Sequence, residues 1–145
     1  MKQDLKDLLA TIERVNKQMA RQEVSWNIKM FHLREKADVF SEIGDRIISG
    51  EVKIDQVKEF LPEYTSAEKF LTQALIWHYH RGDWQKSAAL SQKIMAAEFD
   101  ISVYDRLIIK KSLLYARVLA EEIQDKGSIE NLSLQIADFD LKYQL

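Results

Sequence analysis

The stretch TSAEKFLTQALIWHYHRGD, residues 65–83, decides the fold class. Thr65 and Glu68 have the spacing of a capping box, in which two side chains satisfy free backbone N–H groups at a helix start. Gly82 follows as the left-handed residue that ends a helix, and Asp83 can cap the next one. The stretch therefore predicts two helices joined by a minimal turn. Because a connection this short favours antiparallel neighbours, we expect a central helix hairpin.

Helical patterns extend on both sides of this hairpin. Residues 55–61 predict a short helix that Pro62 ends, because the residue before proline is pushed out of helical geometry. Residues 102–126 predict a long helix with Gly127 past its end. Residues 128–145 fit both strand alternation and helical spacing, and we expect a short helix followed by a loosely attached tail. The fold class is therefore all-α, a helical bundle.

The N-terminal part has a coiled-coil-like pattern. An apolar residue recurs every seven positions from Leu5 to Ile47, and the first part of the series has the 3,4 spacing of a coiled-coil seam. The seam shifts near residues 20–25, where either one long helix changes its partner or two helices meet at a break. We expect residues 1–22 to project and to assemble copies of the chain into a homo-oligomer through Leu5, Leu8, Ile12, Val15 and Met19.

Composition limits the remaining possibilities. The chain has 145 residues, 46% of them hydrophobic, with a formal net charge of −2 and no cysteine. This length and composition predict a single helical domain over 1–145, with a core over 24–126. The absence of cysteine excludes a disulfide framework, a thiolate metal site and a cysteine nucleophile. The longest stretch without Asp, Glu, Lys or Arg is too short to span a bilayer, and charged residues occupy the N-terminus, so we expect a cytoplasmic protein.

Catalytic and metal-binding patterns are weak. His78 and His80 are two residues apart on a predicted helix and point to nearly opposite sides, so they cannot share one metal ion. The sequence has neither a glycine-rich phosphate loop nor a G-x-S-x-G elbow. We therefore expect no enzyme activity, no metal and no cofactor.

Two groups of basic residues are candidates for contacts with nucleic-acid phosphates. Three residues of the first helix form a stripe at 3,4 spacing, with acidic neighbours that also fit a solvated coiled-coil flank. A second group lies on the predicted long helix, where an ordinary exposed face is the alternative. The candidates are Arg14, Lys17, Arg21, Arg106, Lys110 and Lys111. A cluster of large apolar residues, Trp26, Met30, Phe31 and Leu33, fits either a partner-binding surface or, as we expect, core.

Two family resemblances follow from the order of the motifs. The helix pair around Gly82 looks like one tetratricopeptide unit, without the further repeats that an array needs. Residues 51–123 resemble the small terminase subunit family of tailed phages. The residues that carry this resemblance are Glu51-Val52-Lys53, Glu59-Phe60-Leu61-Pro62-Glu63-Tyr64, Trp77 with Gly82-Asp83, Tyr104-x-Arg106 and Ala120-Glu121-Glu122-Ile123.

The terminase resemblance implies a non-catalytic component of genome packaging. Members of that family oligomerise, recognise viral double-stranded DNA and present it to an ATP-driven large subunit. The alternative that the residues leave open is a helical adaptor or inhibitor, of phage or bacterial origin, that binds another protein through the hairpin or the first helix.

Overall fold

A computed structural model describes residues 4–21, 23 and 25–143. The described residues form seven α-helices and no strand, which confirms the all-α class. The helices are α1 (Leu5–Met19), α2 (Trp26–Ser49), α3 (Ile54–Lys58), α4 (Ala67–His80), α5 (Trp84–Ala96), α6 (Val103–Glu122) and α7 (Lys126–Lys142). The chain divides into two compact units, Met1–Trp77 and His78–Leu145, where the sequence predicted a single domain.

The N-terminal seam is interrupted by a break between two helices. α1 ends at Met19, and α2 begins at Trp26 behind Ser25, whose hydroxyl accepts a hydrogen bond from the Ile28 N–H at 3.4 Å. Serine at this position is a strong N-cap, so the sequence itself starts a new helix there. Of the two alternatives for residues 20–25, the structure has the break.

α1 packs against α2 in the first unit instead of projecting from it. Leu8, Ile12 and Val15 are almost fully buried by this contact, and Leu5 and Met19 are half-buried. The coiled-coil-like spacing thus describes a helix pair within the chain. Periodicity shows that a helix has a partner, but it does not show which molecule supplies the partner.

An aromatic cluster forms the centre of the first unit. The Phe40 ring lies 4.8 Å from the Tyr64 ring, 5.2 Å from Phe70 and 4.9 Å from Trp77, centroid to centroid. Phe40 and Phe70 are fully buried. Offset and edge-on contacts at these distances are favourable, so the cluster joins α2, α4 and the segment after α3.

The turn between α4 and α5 has the predicted geometry. Gly82 adopts φ +75°, and the N–H groups of Gly82 and Asp83 bond to the Tyr79 and His78 carbonyls, which is a Schellman motif. The Asp83 carboxylate then caps α5 by accepting from the Lys86 N–H. At the start of α4 the cap differs from the prediction, because the hydroxyl of Ser66 accepts from the Lys69 N–H.

The C-terminal region differs from the predicted loose tail. α7 runs from Lys126 to Lys142, and it buries Leu132, Ile136 and Phe139. Gly127 lies inside α7, and the left-handed residue that ends α6 is Gln124, with φ +59°. The apolar residues therefore follow the helical alternative, and their burial holds α7 against α6, while residues 144–145 of the predicted tail lie outside the described part of the chain.

Candidate partner-binding surface

One side of α6 carries exposed apolar and aromatic side chains. We call it the α6 face and define it as Tyr104, Leu107, Lys111, Tyr115 and Val118. Successive members are three or four residues apart, so they lie in one row along the helix, about 21 Å long at 1.5 Å per residue. The four uncharged members are 41–52% exposed.

The rest of α6 explains why this row lies outside the core. Ile109, Leu113 and Ala116 are buried, and α6 packs against both α5 and α7. A helix with two neighbours ordinarily covers its remaining side with charged residues. On the α6 face that remaining side is apolar and aromatic instead.

Aromatic residues from the end of α4 and the start of α5 extend this face. The Trp84 ring lies 4.8 Å from the Tyr115 ring, and the Tyr79 ring lies 5.5 Å from Trp84. The Tyr104 hydroxyl lies 3.5 Å from Nε2 of His80. These contacts hold the rings in place, and tyrosine and tryptophan are the residues enriched where proteins bind one another.

The hydroxyl of Tyr79, which lies beside the α6 face, stays neutral at physiological pH. Burial raises the pKa of Tyr79, and the neighbouring Tyr115 and Tyr104 add to the rise. A neutral hydroxyl can donate a hydrogen bond as well as accept one.

The α6 face has the spacing of a coiled-coil seam. Tyr104, Lys111 and Val118 are seven residues apart, Leu107 occupies one intermediate position, and the half-buried Leu114, next to Tyr115 at the edge of the face, occupies the other. Lys111 makes no ion pair with any described residue. A single lysine in such a seam selects the register and the charge of the partner helix, at some cost in stability.

The basic stripe predicted on α1 is partly engaged with carboxylates of the same unit. Arg14 forms an ion pair with Glu35 at 2.6 Å, and Lys17 lies 3.3 Å from Glu13. Arg21 is exposed beyond the end of α1. Burial favours a raised pKa of Glu35, but hydrogen bonds from Arg14 and His32 outweigh it and lower the pKa. The stripe is therefore largely neutralised within the chain.

Of the three basic residues predicted on α6, Arg106 and Lys110 lie apart from Lys111 and face the C-terminal end of α7. Lys110 forms an ion pair with Asp140. The guanidinium of Arg106 lies 5.1 Å from the centre of the Tyr143 ring, and its Nε is buried without a hydrogen-bond partner. Of the six candidates for phosphate contacts, the structure brings Arg106 and Lys110 together, and it places the three α1 residues in the other unit.

Sequence reasoning assigned the start of α2 to the core, and the structure exposes it. Trp26 is 70% exposed and Phe31 is 59% exposed, while Met30 and Leu33 are half-buried. Helical spacing indicates an apolar side of a helix without showing what covers it. The same limit applies to α6, where Ile108 is buried and its sequence neighbour Leu107 is exposed.

The histidines do not assemble a metal site in the described part of the chain, where no group of three potential ligands occurs. His78 is buried, and His80 is exposed next to Tyr104. Among the described residues, no helix is long and apolar enough to cross a bilayer.

No protein-family model matches the chain, and neither a curated protein nor a solved structure is significantly similar to it. The arguments for a function therefore rest on the residues and their geometry.

Proposed function

We propose that this chain is a non-catalytic helical module that binds another protein through the α6 face. The observation that carries the proposal is an exposed, heptad-spaced row of apolar and aromatic side chains on a helix whose other sides are packed. Interfaces concentrate their binding energy in tyrosine and tryptophan anchors of this kind.

The partner is expected to present an amphipathic helix with a carboxylate on its apolar side. An apolar side fits the Tyr104, Leu107 and Val118 positions, and a carboxylate opposite Lys111 would pair with a cation that has no ion-pair partner among the described residues. Lys111 would also disfavour partner helices that are apolar throughout, because such a helix would leave the lysine charge buried and unpaired.

The test is retention of proteins from extracts of the source cells on the immobilised full-length chain. We expect a protein that the wild type retains and that Lys111→Glu loses. Reversing one carboxylate of that protein to lysine should restore binding to Lys111→Glu. The control is Lys58→Glu, because Lys58, which is more exposed than the half-buried Lys111, likewise has no ion pair in the described chain. Equal retention by the wild type and Lys111→Glu would contradict the proposal.

DNA binding in genome packaging is the second candidate function. It is supported by the terminase resemblance and by one observation, the Arg106 guanidinium, which makes no ion pair with a described carboxylate. Contacts with phosphates would release counterions, so binding to a duplex should weaken steeply as salt rises. Light scattering after size-exclusion chromatography, with and without a short duplex, tests this candidate together with self-association. A DNA-dependent rise in mass that Arg106→Glu abolishes would favour it, and an unchanged mass would exclude it.

A further inference from the structure

A cleft of about 210 Å³ lies beside the side chain of Lys36 in the first unit. Its lining combines apolar and aromatic side chains with polar groups, and the polar groups supply the larger share of its exposed surface. Clefts for drug-sized ligands measure roughly 300–1,000 Å³, so this one suits a smaller molecule. The lining residues are Asn16, Lys36, Phe40, Phe60, Leu61, Pro62, Glu63 and Tyr64.

Lys36 is a half-buried cation without an ion pair in the described chain. Its ammonium lies 4.9 Å from the centre of the Trp77 ring and 5.9 Å from that of Phe40. Ring faces attract a cation, but the attraction replaces only part of the hydration that burial removes. Burial accordingly lowers the pKa of Lys36.

The acidic residues near Lys36 do not neutralise its charge. Glu35 adjoins Lys36 on α2, but its carboxylate binds Arg14 and His32. Glu63 lines the cleft from the segment after α3, where it is exposed and lies beyond ion-pair distance of Lys36. Among the groups that line the cleft, Lys36 is therefore the partly desolvated charge that an incoming anion would neutralise.

We propose that this cleft binds a small carboxylic acid that carries one aromatic ring. The carboxylate pairs with the ammonium of Lys36, and the Asn16 amide is available as a second donor. The ring of the ligand packs against Phe60 and Tyr64, which are the accessible rings of the cleft. The proposal is independent of the α6 face, which lies in the other unit.

Phenylacetate is the probe, titrated into the full-length ¹⁵N-labelled protein and followed by NMR. We expect saturable shifts of the amides around the cleft, with a dissociation constant that is roughly millimolar. Phenylacetamide, which has the same ring and no charge, should bind at least about tenfold more weakly, as expected when a charged hydrogen bond is lost.

Three substitutions test the role of the charges at the cleft. Lys36→Met keeps the apolar stem and removes the charge, so it should weaken phenylacetate binding at least about tenfold. Lys58→Met removes a lysine of the same unit that does not line the cleft, and it should leave binding unchanged. Glu63→Gln should strengthen binding, because it removes a negative charge that repels the ligand.

A direct measurement on the wild type does not depend on the folding of any variant. Saturating phenylacetate should raise the pKa of Lys36, followed by ¹³C NMR of its Cε, because an anion favours the protonated amine. Phenylacetamide should leave that pKa unchanged. An unchanged pKa with phenylacetate, equal binding of acid and amide, or full binding by a folded Lys36→Met variant would each overturn the proposal.

Discussion

At the scale of single residues, Gln124 holds a backbone conformation that favours glycine. It ends α6 at φ +59°, and the N–H groups of Gln124 and Asp125 bond to the Glu121 and Ala120 carbonyls, as in the turn at Gly82. A side chain in left-handed geometry costs roughly 1 kcal/mol.

Gln124→Gly should therefore stabilise the protein by about 0.5–1 kcal/mol, because it relieves this strain. Urea denaturation measures the change in the free energy of unfolding. Gly82→Ala is the matched reverse substitution, since it places a Cβ at φ +75°, and it should destabilise by about 1 kcal/mol. A loss of stability in Gln124→Gly would show that the glutamine side chain contributes more than its strain costs.

Asp125 makes the stability of α7 depend on pH. Hydrogen bonds from the Ser128 hydroxyl and from its backbone N–H lower the pKa of this N-cap carboxylate. A carboxylate whose pKa is lower in the folded state than in the unfolded state stabilises the fold at pH values above the ordinary aspartate pKa. This stabilisation is lost as the pH falls through the folded-state pKa. Compared with the wild type, Asp125→Asn should melt at a lower temperature at pH 7, and the two melting temperatures should converge below about pH 4. A constant difference between pH 7 and pH 3 would contradict this assignment.

Helix ends can be predicted well from the sequence, because a capping residue bonds to backbone groups only a few positions away. Asp83 and Gly82 have the predicted roles at helix ends. Gln124 could not be predicted, because nothing in its side chain marks a left-handed residue. The sequence therefore predicts that α6 ends before Gly127, whereas Gly127 lies inside α7.

At the scale of helices, Gly44 lets α2 approach α4 closely. A Cβ added at Gly44 would lie 2.7 Å from Cδ2 of Leu71, a fully buried side chain that would have to shift within the packed core. Gly44→Ala should destabilise by about 1–3 kcal/mol, because overpacking outweighs the gain in helix propensity.

Gly127→Ala is the matched control for Gly44→Ala, since a Cβ there meets only Oδ1 of Asp125, at 3.8 Å. This substitution should be neutral or stabilise by up to about 1 kcal/mol. Thermal and urea unfolding of both variants measure the difference. Equal effects of the two alanines would show that α2 and α4 do not need this close approach.

The packing of α7 can be tested with two substitutions on the same helix. Phe139 is fully buried and Leu134 is 66% exposed. Phe139→Ala should cost about 3–5 kcal/mol of unfolding free energy, while Leu134→Ala should change it by less than about 0.5 kcal/mol. A small effect of Phe139→Ala would instead support the loosely attached tail that the sequence suggested.

Helix partners were harder to predict than helix positions. The 3,4 spacing of Leu8, Ile12 and Val15 correctly indicates a helix with a packed side, and the packing partner is α2 of the same chain. Local spacing contains no information about whether the partner helix belongs to the same molecule. Self-association through this seam would require α1 to leave α2 and expose these residues.

At the scale of the whole molecule, the chain forms two compact units, and its organisation as a single domain stays a prediction. Length and composition set only a prior for the number of domains. The candidate site also differs from the predicted one. The sequence indicates basic residues as phosphate contacts, but the structure pairs some of them, such as Arg14 and Lys110, with carboxylates. The α6 face was not predicted as a surface, because its residues share helical spacing with buried neighbours.

Photo-crosslinking tests whether the α6 face is the surface that binds the partner protein. The photoreactive residue p-benzoylphenylalanine would replace Tyr115 in one full-length chain and Leu134, an exposed residue of α7, in another. We expect position 115 to crosslink a helical segment of one partner that has an acidic residue in register with Lys111, and position 134 not to crosslink it. The same crosslinks from both positions, or none from position 115 in extracts where the chain is bound to its partner, would contradict it.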